Sequence, residues 1–255
     1  MGVVVTVAVA GLLIGSFLTV VIDRVPRGAS IVQPGSACGA CGLRLGPMDL
    51  VPVVSWLALR GRCRRCRAWI GWEPLVVELA TAGTFVAFAL KFDASWAIAA
   101  HCVLGAALVA QTVIDLRTKR LPREITYAAI AIGFPLLVVA SLVAHEPRRI
   151  AMAVGGAALA TAMMGIIHVA SRGGMGDGDV RFAPLLGMYL GWQNPGIVPL
   201  GLFAGFSAGA VVGLVVLAAG KGGRKTALPF GPFMAFGAFV AVFAGQSMVD
   251  ALLAR

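Results

Sequence analysis

Three aspartates lie in sequence contexts that could support acid–base chemistry. Asp115 lies where an apolar run ends, and Asp177 and Asp179 lie in a glycine-rich segment just before another apolar run. Two carboxylates that share a site can hold a proton between them. Such a pair can hydrolyse an amide, with one member as base and the other as acid. The sequence leaves open which aspartate plays which part, because the pair titrates as a unit.

The glycines around two of these aspartates favour a site over a chance placement. They are Gly173, Gly174, Gly176 and Gly178. Glycine permits close backbone approach and positive φ, so this segment can bring a carboxylate and a peptide backbone together. The alternative is that each aspartate is a solvated interfacial charge, paired with Arg117 or Arg181. Acidic groups near a bilayer boundary are costly, and this cost favours a functional interpretation.

Four of the five cysteines form two CxxC pairs, which suggests a metal site. The pairs are Cys38–Cys41 and Cys63–Cys66, with 21 residues between them. Four thiolates can close a tetrahedron around one Zn²⁺, and paired CxxC motifs at such a spacing are typical of structural zinc. A redox role is the alternative, but a redox CxxC is ordinarily a single pair on a βαβ pattern. We therefore expect a closed structural zinc site on these four cysteines.

The elements that carry these residues are predicted to be membrane-spanning helices. Hydrophobic residues make up 59% of the 255 residues and charged residues 13%, too few to cover a water-facing surface. Eight apolar runs are candidate spans: 3–22, 75–90, 96–114, 125–144, 150–170, 182–192, 197–219 and 230–249. The sixth run is only about 16 Å long at 1.5 Å per residue. It could be a half-span, a tilted helix extended by its flanks, or a re-entrant segment.

Basic residues are distributed unequally along the chain. Seventeen of the 21 Lys and Arg residues lie in four segments that eight spans place on one side, namely 23–74, 115–124, 171–181 and 220–226. An excess of Lys and Arg marks the cytoplasmic side. The three aspartates are thus predicted to lie at the cytoplasmic membrane face. The net charge of +10 is attributed to topology and to contact with anionic lipid headgroups rather than to nucleic acid.

Over nearly its whole length, the sequence resembles the type IV prepilin peptidases, intramembrane aspartyl proteases of the GxGD type. The resemblance includes an N-terminal signature at 15–28, in which Thr19 stands where Asn is usual. The two CxxC pairs, with 52–56 between them and 73–78 after them, match the zinc-bearing long form. Two further segments, 115–122 and 176–181, resemble the two catalytic motifs.

This resemblance assigns roles to the aspartates. In its register Asp115 and Asp179 are the catalytic residues. Asp177 fills the variable position of GxGD, and Gly176 and Gly178 complete the supporting loop. The implied fold is an all-α polytopic membrane protein of about eight transmembrane helices. Its predicted parts are the first transmembrane helix (1–22), a small cytoplasmic zinc-binding loop domain with both CxxC pairs (23–74), and a transmembrane peptidase core (75–255).

The resemblance also implies a specific reaction. Proteins of this family remove a short basic leader from prepilins or pseudopilins at the cytoplasmic face of the bacterial inner membrane. The long form often also methylates the new N-terminus with S-adenosylmethionine. Two other classes remain open: a transporter that uses interfacial acids for proton coupling, and a zinc-dependent membrane adaptor that needs the cysteines but not the aspartates. A transporter would rarely carry either the zinc motif or the GxGD loop.

Overall fold

Helices account for most of the chain. The computed structural model describes residues 1–93, 95–172, 174–220 and 228–253. Within these residues β-structure is limited to two isolated bridges, which confirms the predicted all-α class. The nine α-helices of the described residues are α1 (Gly2–Arg24), α2 (Val54–Ala58), α3 (Glu73–Phe92), α4 (Ala97–Thr118), α5 (Arg123–Val143), α6 (Arg148–Ala170), α7 (Asp177–Gln193), α8 (Ile197–Ala218) and α9 (Gly231–Leu253).

Most of these helices are suited to a bilayer. In the described part of the chain, seven are long and apolar enough to cross a membrane, namely α1, α3, α4, α5, α6, α8 and α9. They coincide with seven of the eight predicted runs. The chain is therefore a multi-pass membrane protein. The predicted basic segment at 220–226 lies, apart from Gly220, outside the described residues.

The sixth predicted run corresponds to α7, which is longer than the run itself. Its 17 residues span about 26 Å. Most of its side chains are buried, and it packs against α5, α6, α8 and α9. A Cβ on Gly178 would contact Leu121 just before α5 begins, whereas the Trp192 indole donates to Ser141 near the end of α5 at 2.8 Å. Thus α7 lies along α5 from near its start to near its end, and it extends beyond the predicted run mainly at its N-terminal side.

The chain divides into two compact units, residues 1–98 and residues 99–255. In the first unit, α1 packs along α3. Glycines make this contact close, since a Cβ on Gly11 would lie 2.6 Å from the Cα of Ala82, and one on Gly15 would lie 2.6 Å from the Cα of Glu78. The loop that holds the cysteines connects these two helices.

Glycine also brings helices together in the second unit, where α6 packs on α7 and α8 on α9. A Cβ on Gly191 would lie 2.6 Å from the Cα of Gly156, so α6 and α7 touch backbone to backbone. On α8, a Cβ on Gly205 would lie 2.8 Å from the carbonyl oxygen of Phe233 on α9. Close helix packing of this kind depends on small residues.

Candidate active site and metal centre

Asp115 lies in the last turn of α4 and is buried, with 4% of its surface exposed. Its Oδ2 accepts a hydrogen bond from the backbone N–H of Gly231 at 2.8 Å. Gly231 is the first residue of α9, where backbone N–H groups have no partner within the helix. The partial positive charge at a helix N-terminus also favours a carboxylate. The start of α9 therefore holds the Asp115 carboxylate in place.

Gly231 is a residue that the sequence analysis did not identify. A Cβ at this position would lie 2.9 Å from Oδ2 of Asp115 and 2.8 Å from Cδ2 of Leu121, so a side chain would displace one of them. One signal for it was available. Gly231 is followed by Pro232 where an apolar run begins, and proline in the first turn marks a helix start. The predicted topology puts that start on the same face as Asp115.

Asp179 is the third residue of α7 and is 8% exposed. Its carboxylate lies close to Gly176, the N-cap residue of the same helix, where a Cβ would be 3.5 Å from Oδ2 of Asp179. The partial positive charge at the start of this helix favours a carboxylate there. Gly178, which precedes Asp179, and Gly231, which binds Asp115, both lie beside Leu121. The structure therefore brings these two predicted residues together.

Leu121 lies beside both aspartate segments. A Cβ on Gly178, which precedes Asp179, would lie 3.1 Å from the Cβ of Leu121. Gly231, which binds Asp115, is similarly close to the end of the same leucine side chain. Leu121 therefore packs an apolar side chain against the backbone that holds each carboxylate.

Asp177 differs from this pair in its solvent exposure, because 69% of its side-chain surface is accessible. Its carboxylate lies 3.4 Å from Nε2 of His168 and 3.7 Å from Nη2 of Arg181. The other ring nitrogen of His168 contacts the carbonyl oxygen of Met175 at 3.0 Å. The interpretation as a solvated interfacial charge therefore describes Asp177, whereas Asp115 and Asp179 are buried.

A second residue that the sequence analysis missed is Gln111, one turn before Asp115 on α4. It is fully buried, and its Nε2 donates to the carbonyl oxygen of Pro122 at 3.0 Å and to Oγ1 of Thr126 at 2.9 Å. These bonds join α4 to the start of α5 and to the segment that contains Leu121. A lone amide inside an apolar run was the available signal, since intramembrane polar groups are costly.

The first unit contains the four predicted cysteine ligands. Their sulfur atoms all lie within 4.8 Å of one another, with 3.8 Å between Cys38 and Cys66 and 3.9 Å between Cys41 and Cys63. Sulfur atoms converging from two separate CxxC motifs could together hold one metal ion.

The two CxxC turns have the same backbone pattern. In each, the N–H of the first cysteine donates to the carbonyl five residues later, and its carbonyl accepts from the N–H four residues later. An antiparallel bridge closes each turn, between Ala37 and Arg44 and between Arg62 and Trp69. In the second turn, backbone hydrogen bonds from Cys66 and Arg65 lower the pKa of the Cys63 thiol to about 6. The thiolate is the form that binds metals.

Comparison with protein families gives two matches. Residues 9–92 match the bacterial peptidase A24 N-terminal domain, and residues 102–214 match the type IV leader peptidase family. The first match contains the cysteines, and the second contains Asp115 and Asp179. No solved structure matches the chain.

Relatives from three bacteria are similar over most of the chain, and each is named prepilin leader peptidase/N-methyltransferase. The Pseudomonas aeruginosa protein is 29% identical over 95% of this chain and 91% of its own length. The Burkholderia pseudomallei (strain 1026b) protein is 34% identical over 93% of this chain and 84% of its own length. The Myxococcus xanthus protein is 39% identical over 86% of this chain and 64% of its own length.

Proposed function

Because the chain belongs to the type IV leader peptidase family, we propose that it cleaves the leader from prepilins or pseudopilins with Asp115 and Asp179 as its catalytic pair. The observation that best supports this proposal is the convergence of these two buried carboxylates from α4 and α7. Each carboxylate lies at the start of a helix, and that of Asp115 accepts a backbone hydrogen bond there. Membership of a peptidase family argues against the transporter and adaptor alternatives.

The chemistry follows from the mutual repulsion of the two groups. Because two neighbouring carboxylates resist being ionised together, the pair can keep one proton. The ionised member takes a proton from water as the water attacks the peptide carbonyl carbon. The protonated member donates its proton to the carbonyl oxygen. Asp177 remains outside this exchange because its carboxylate is exposed and lies beside His168 and Arg181.

The proposed reaction takes place at the cytoplasmic face of the inner membrane. Asp115 ends a membrane-spanning helix, and the segments around both carboxylates are rich in Arg and Lys. By the positive-inside rule this end is cytoplasmic. A prepilin has an apolar helix that can enter the bilayer, and its basic leader then remains in the cytoplasm, with the bond to be cut at the boundary.

Asparagine substitutions test the proposed pair, because Asn keeps the shape of Asp but cannot supply a carboxylate. Asp115→Asn and Asp179→Asn should each lose nearly all cleavage of a prepilin-like peptide, measured by mass spectrometry with detergent-solubilised protein. The double variant should be little worse than either single variant, because the two groups act as a unit. Asp177→Ala is the matched control and should retain substantial activity.

Two outcomes would change this assignment, provided that the variants reach the membrane at normal levels. Normal cleavage by a folded Asp115→Asn protein would rule out the pair. If Asp177 proves essential and Asp179 does not, then Asp177 is the catalytic aspartate of the second motif, and the two-carboxylate mechanism still holds.

We further propose that the four cysteines bind a structural Zn²⁺. Tetrahedral zinc with Zn–S bonds of about 2.3 Å requires sulfur atoms about 3.8 Å apart. The Cys38–Cys66 and Cys41–Cys63 pairs, at 3.8 Å and 3.9 Å, fit that spacing. Four protein ligands close the coordination sphere, so the ion would organise the loop and take no part in peptide cleavage.

Metal analysis of the purified protein tests the zinc proposal. We expect about one zinc per chain, as for a four-cysteine site, and a large loss of zinc when Cys38 and Cys41 are both replaced by Ser. Cys102→Ser is the control, because Cys102 lies on α4 and is not a member of the four-cysteine cluster. Unchanged zinc in the double variant would contradict the proposal.

The third part of the proposal is N-methylation of the newly formed N-terminus with S-adenosylmethionine, as the names of the relatives suggest. When bound, this cofactor supplies an electrophilic methyl group. The cleaved product should gain about 14 Da, the mass of one CH₂. Asp115→Asn protein should still methylate a product that is supplied already cleaved, because methyl transfer does not use the aspartate pair. Cleavage without methylation by the wild type would remove this part of the proposal.

A further inference from the structure

The first unit contains a cavity of about 450 Å³ to which no role has been assigned so far. This volume is within the range of pockets that bind small molecules and cofactors. Its walls come from α1, both CxxC turns, α2 and the start of α3, and include Ser16, Thr19, Cys38, Trp56, Cys63 and Glu78. It therefore lies directly against the proposed zinc site.

Aromatic rings form one part of the wall. Trp56 and Trp69 both line the cavity, with ring centroids 5.8 Å apart, and Trp72 packs on Trp56 at 4.7 Å. The Trp56 indole N–H donates to the carbonyl oxygen of Gly71 at 2.8 Å, which fixes its orientation. Indole faces stack on flat heteroaromatic rings and attract cations more strongly than other aromatic side chains do.

Two carboxylates form another part of the wall, and they differ in their partners. Asp49 is paired with Arg64 at 2.8 Å, and hydrogen bonding to that guanidinium lowers the pKa of the Asp49 carboxyl. Glu78 is buried and accepts a hydrogen bond from the backbone N–H of Val53 at 2.7 Å. The neutral hydroxyl of Ser16 also lies near this carboxylate. Among the described residues no basic side chain forms an ion pair with Glu78, so a cation entering the cavity would meet its carboxylate.

We propose that this cavity is the binding site for the methyl donor, S-adenosylmethionine, an inference that rests on the proposed N-methylation. The donor combines a flat aromatic base, a sugar with hydroxyl groups and a positively charged sulfonium. The walls offer indole rings for the base or the charge, hydroxyls at Ser16 and Thr19 for the sugar, and the Glu78 carboxylate for the charge. Size, aromatic content and charge therefore all fit one class of ligand.

In the proposed methyl transfer, one bond forms and one bond breaks at the methyl carbon. The neutral amine of the cleaved product forms an N–CH₃ bond with its lone pair, while the bond between the methyl carbon and the sulfonium sulfur breaks. The sulfur keeps that electron pair and leaves as the neutral thioether of S-adenosylhomocysteine. One N–H proton must leave the amine, and the Glu78 carboxylate or water can accept it. No oxidant or further reactant is needed.

A substitution that fills the cavity tests this proposal. The hydroxyl of Thr19 donates to the Ser16 carbonyl of its own helix at 2.6 Å. In the described part of the loop no residue accepts a hydrogen bond from it, so Thr19 can be replaced without breaking a bond to that part. Thr19→Phe should weaken S-adenosylmethionine binding by about tenfold or more, measured by isothermal titration with the full-length protein in detergent. Leu13→Phe adds an aromatic ring to α1 at an exposed position outside the cavity wall, and should bind as the wild type does. Zinc content and helical circular dichroism report whether each variant is folded.

A second measurement on the wild type removes dependence on folding of the variant. Ultraviolet crosslinking of methyl-labelled S-adenosylmethionine should label peptides within residues 16–78. Label confined to residues after 98, or normal binding by folded Thr19→Phe protein, would overturn the proposed site even if methylation persists. A wild type that cleaves but neither binds the donor nor methylates would instead remove the methylation proposal, and the inference with it.

Discussion

At the scale of single residues, the start of α9 contributes directly to the geometry of the proposed catalytic pair. The Asp115 carboxylate depends on one backbone N–H, that of Gly231, which is 116 residues away in sequence. A carboxylate that must exchange protons with water and a peptide needs a fixed position, and misplacement of about 1 Å can cost about a hundredfold in rate. The absence of a side chain at Gly231 is what permits the contact.

Gly231→Ala should therefore reduce cleavage by about tenfold or more, because the new Cβ would displace the Asp115 carboxylate or Leu121. Steady-state assays with a prepilin-like peptide should show this loss mainly in kcat. Gly165→Ala is the matched control, because a Cβ at Gly165 on α6 would meet nothing within 4 Å. Equal activity in the two variants would show that the Gly231 contact does not position the catalytic group.

The residues of the proposed site differ in how far the sequence could predict them. Asp115 and Asp179 were predictable because an acidic group beside an apolar run is costly and therefore conspicuous. Cys38, Cys41, Cys63 and Cys66 were predictable because metal-ligand spacing is local. Gly231 and Gln111 were missed because their roles depend on which helix starts and ends meet, and hydrophobic periodicity does not encode that meeting.

At the scale of elements, α8 has a glycine at every fourth residue from Gly201 to Gly213, and the contacts along this row become looser toward Gly213. A Cβ would lie 2.8 Å from the backbone carbonyl of Phe233 at Gly205, 3.3 Å from its ring at Gly209, and 3.7 Å from Leu228 at Gly213. Gly201, Gly205 and Gly209 therefore form a packing face, with Gly201 nearest to Leu190 of α7 and the other two nearest to Phe233 of α9. The sequence shows four equivalent glycines, and only the helix crossing makes them different.

Gly205→Ala should consequently lower thermal stability, because backbone atoms of α9 cannot yield as a flexible side chain can. Overpacking of this kind typically costs about 1–3 kcal/mol. Gly213→Ala should leave the unfolding temperature nearly unchanged, since 3.7 Å is ordinary van der Waals contact. Thermal unfolding of the two variants in the same detergent, followed by circular dichroism, makes the comparison. A larger loss for Gly213→Ala would contradict this account.

At the scale of the whole molecule, the proposed activities belong to different units. The aspartate pair lies in residues 99–255, whereas the cysteines and the cavity lie in residues 1–98. The matches to known families divide at a similar point, at residues 9–92 and 102–214. Cys38 and Cys63 belong both to the cysteine cluster and to the cavity wall.

Removal of zinc should therefore reduce methylation and donor binding more than it reduces cleavage. We expect protein treated with a chelator to lose most methyl transfer to a product that is supplied already cleaved. The reason is that both CxxC turns form part of the cavity wall. Cleavage should fall less, as measured in the same preparation with an uncleaved peptide. Adding back zinc should restore methylation. Methylation at the normal rate by the chelated protein would show that the function of the cavity does not depend on the metal.

The enclosure of α7 has a consequence for biogenesis. Its first turn contains Asp177 and Asp179, with Arg181 close behind, and most of its remaining side chains contact protein. A translocon tests each emerging segment against lipid, and charged residues reduce the tendency of a segment to insert. Such a helix gains little by entering the bilayer alone. We expect α7 to enter the bilayer together with α6, as a helical hairpin stabilised by the close backbone contact at Gly156 and Gly191. Assembly of the proposed proteolytic centre would then be tied to the order in which the ribosome delivers these two helices.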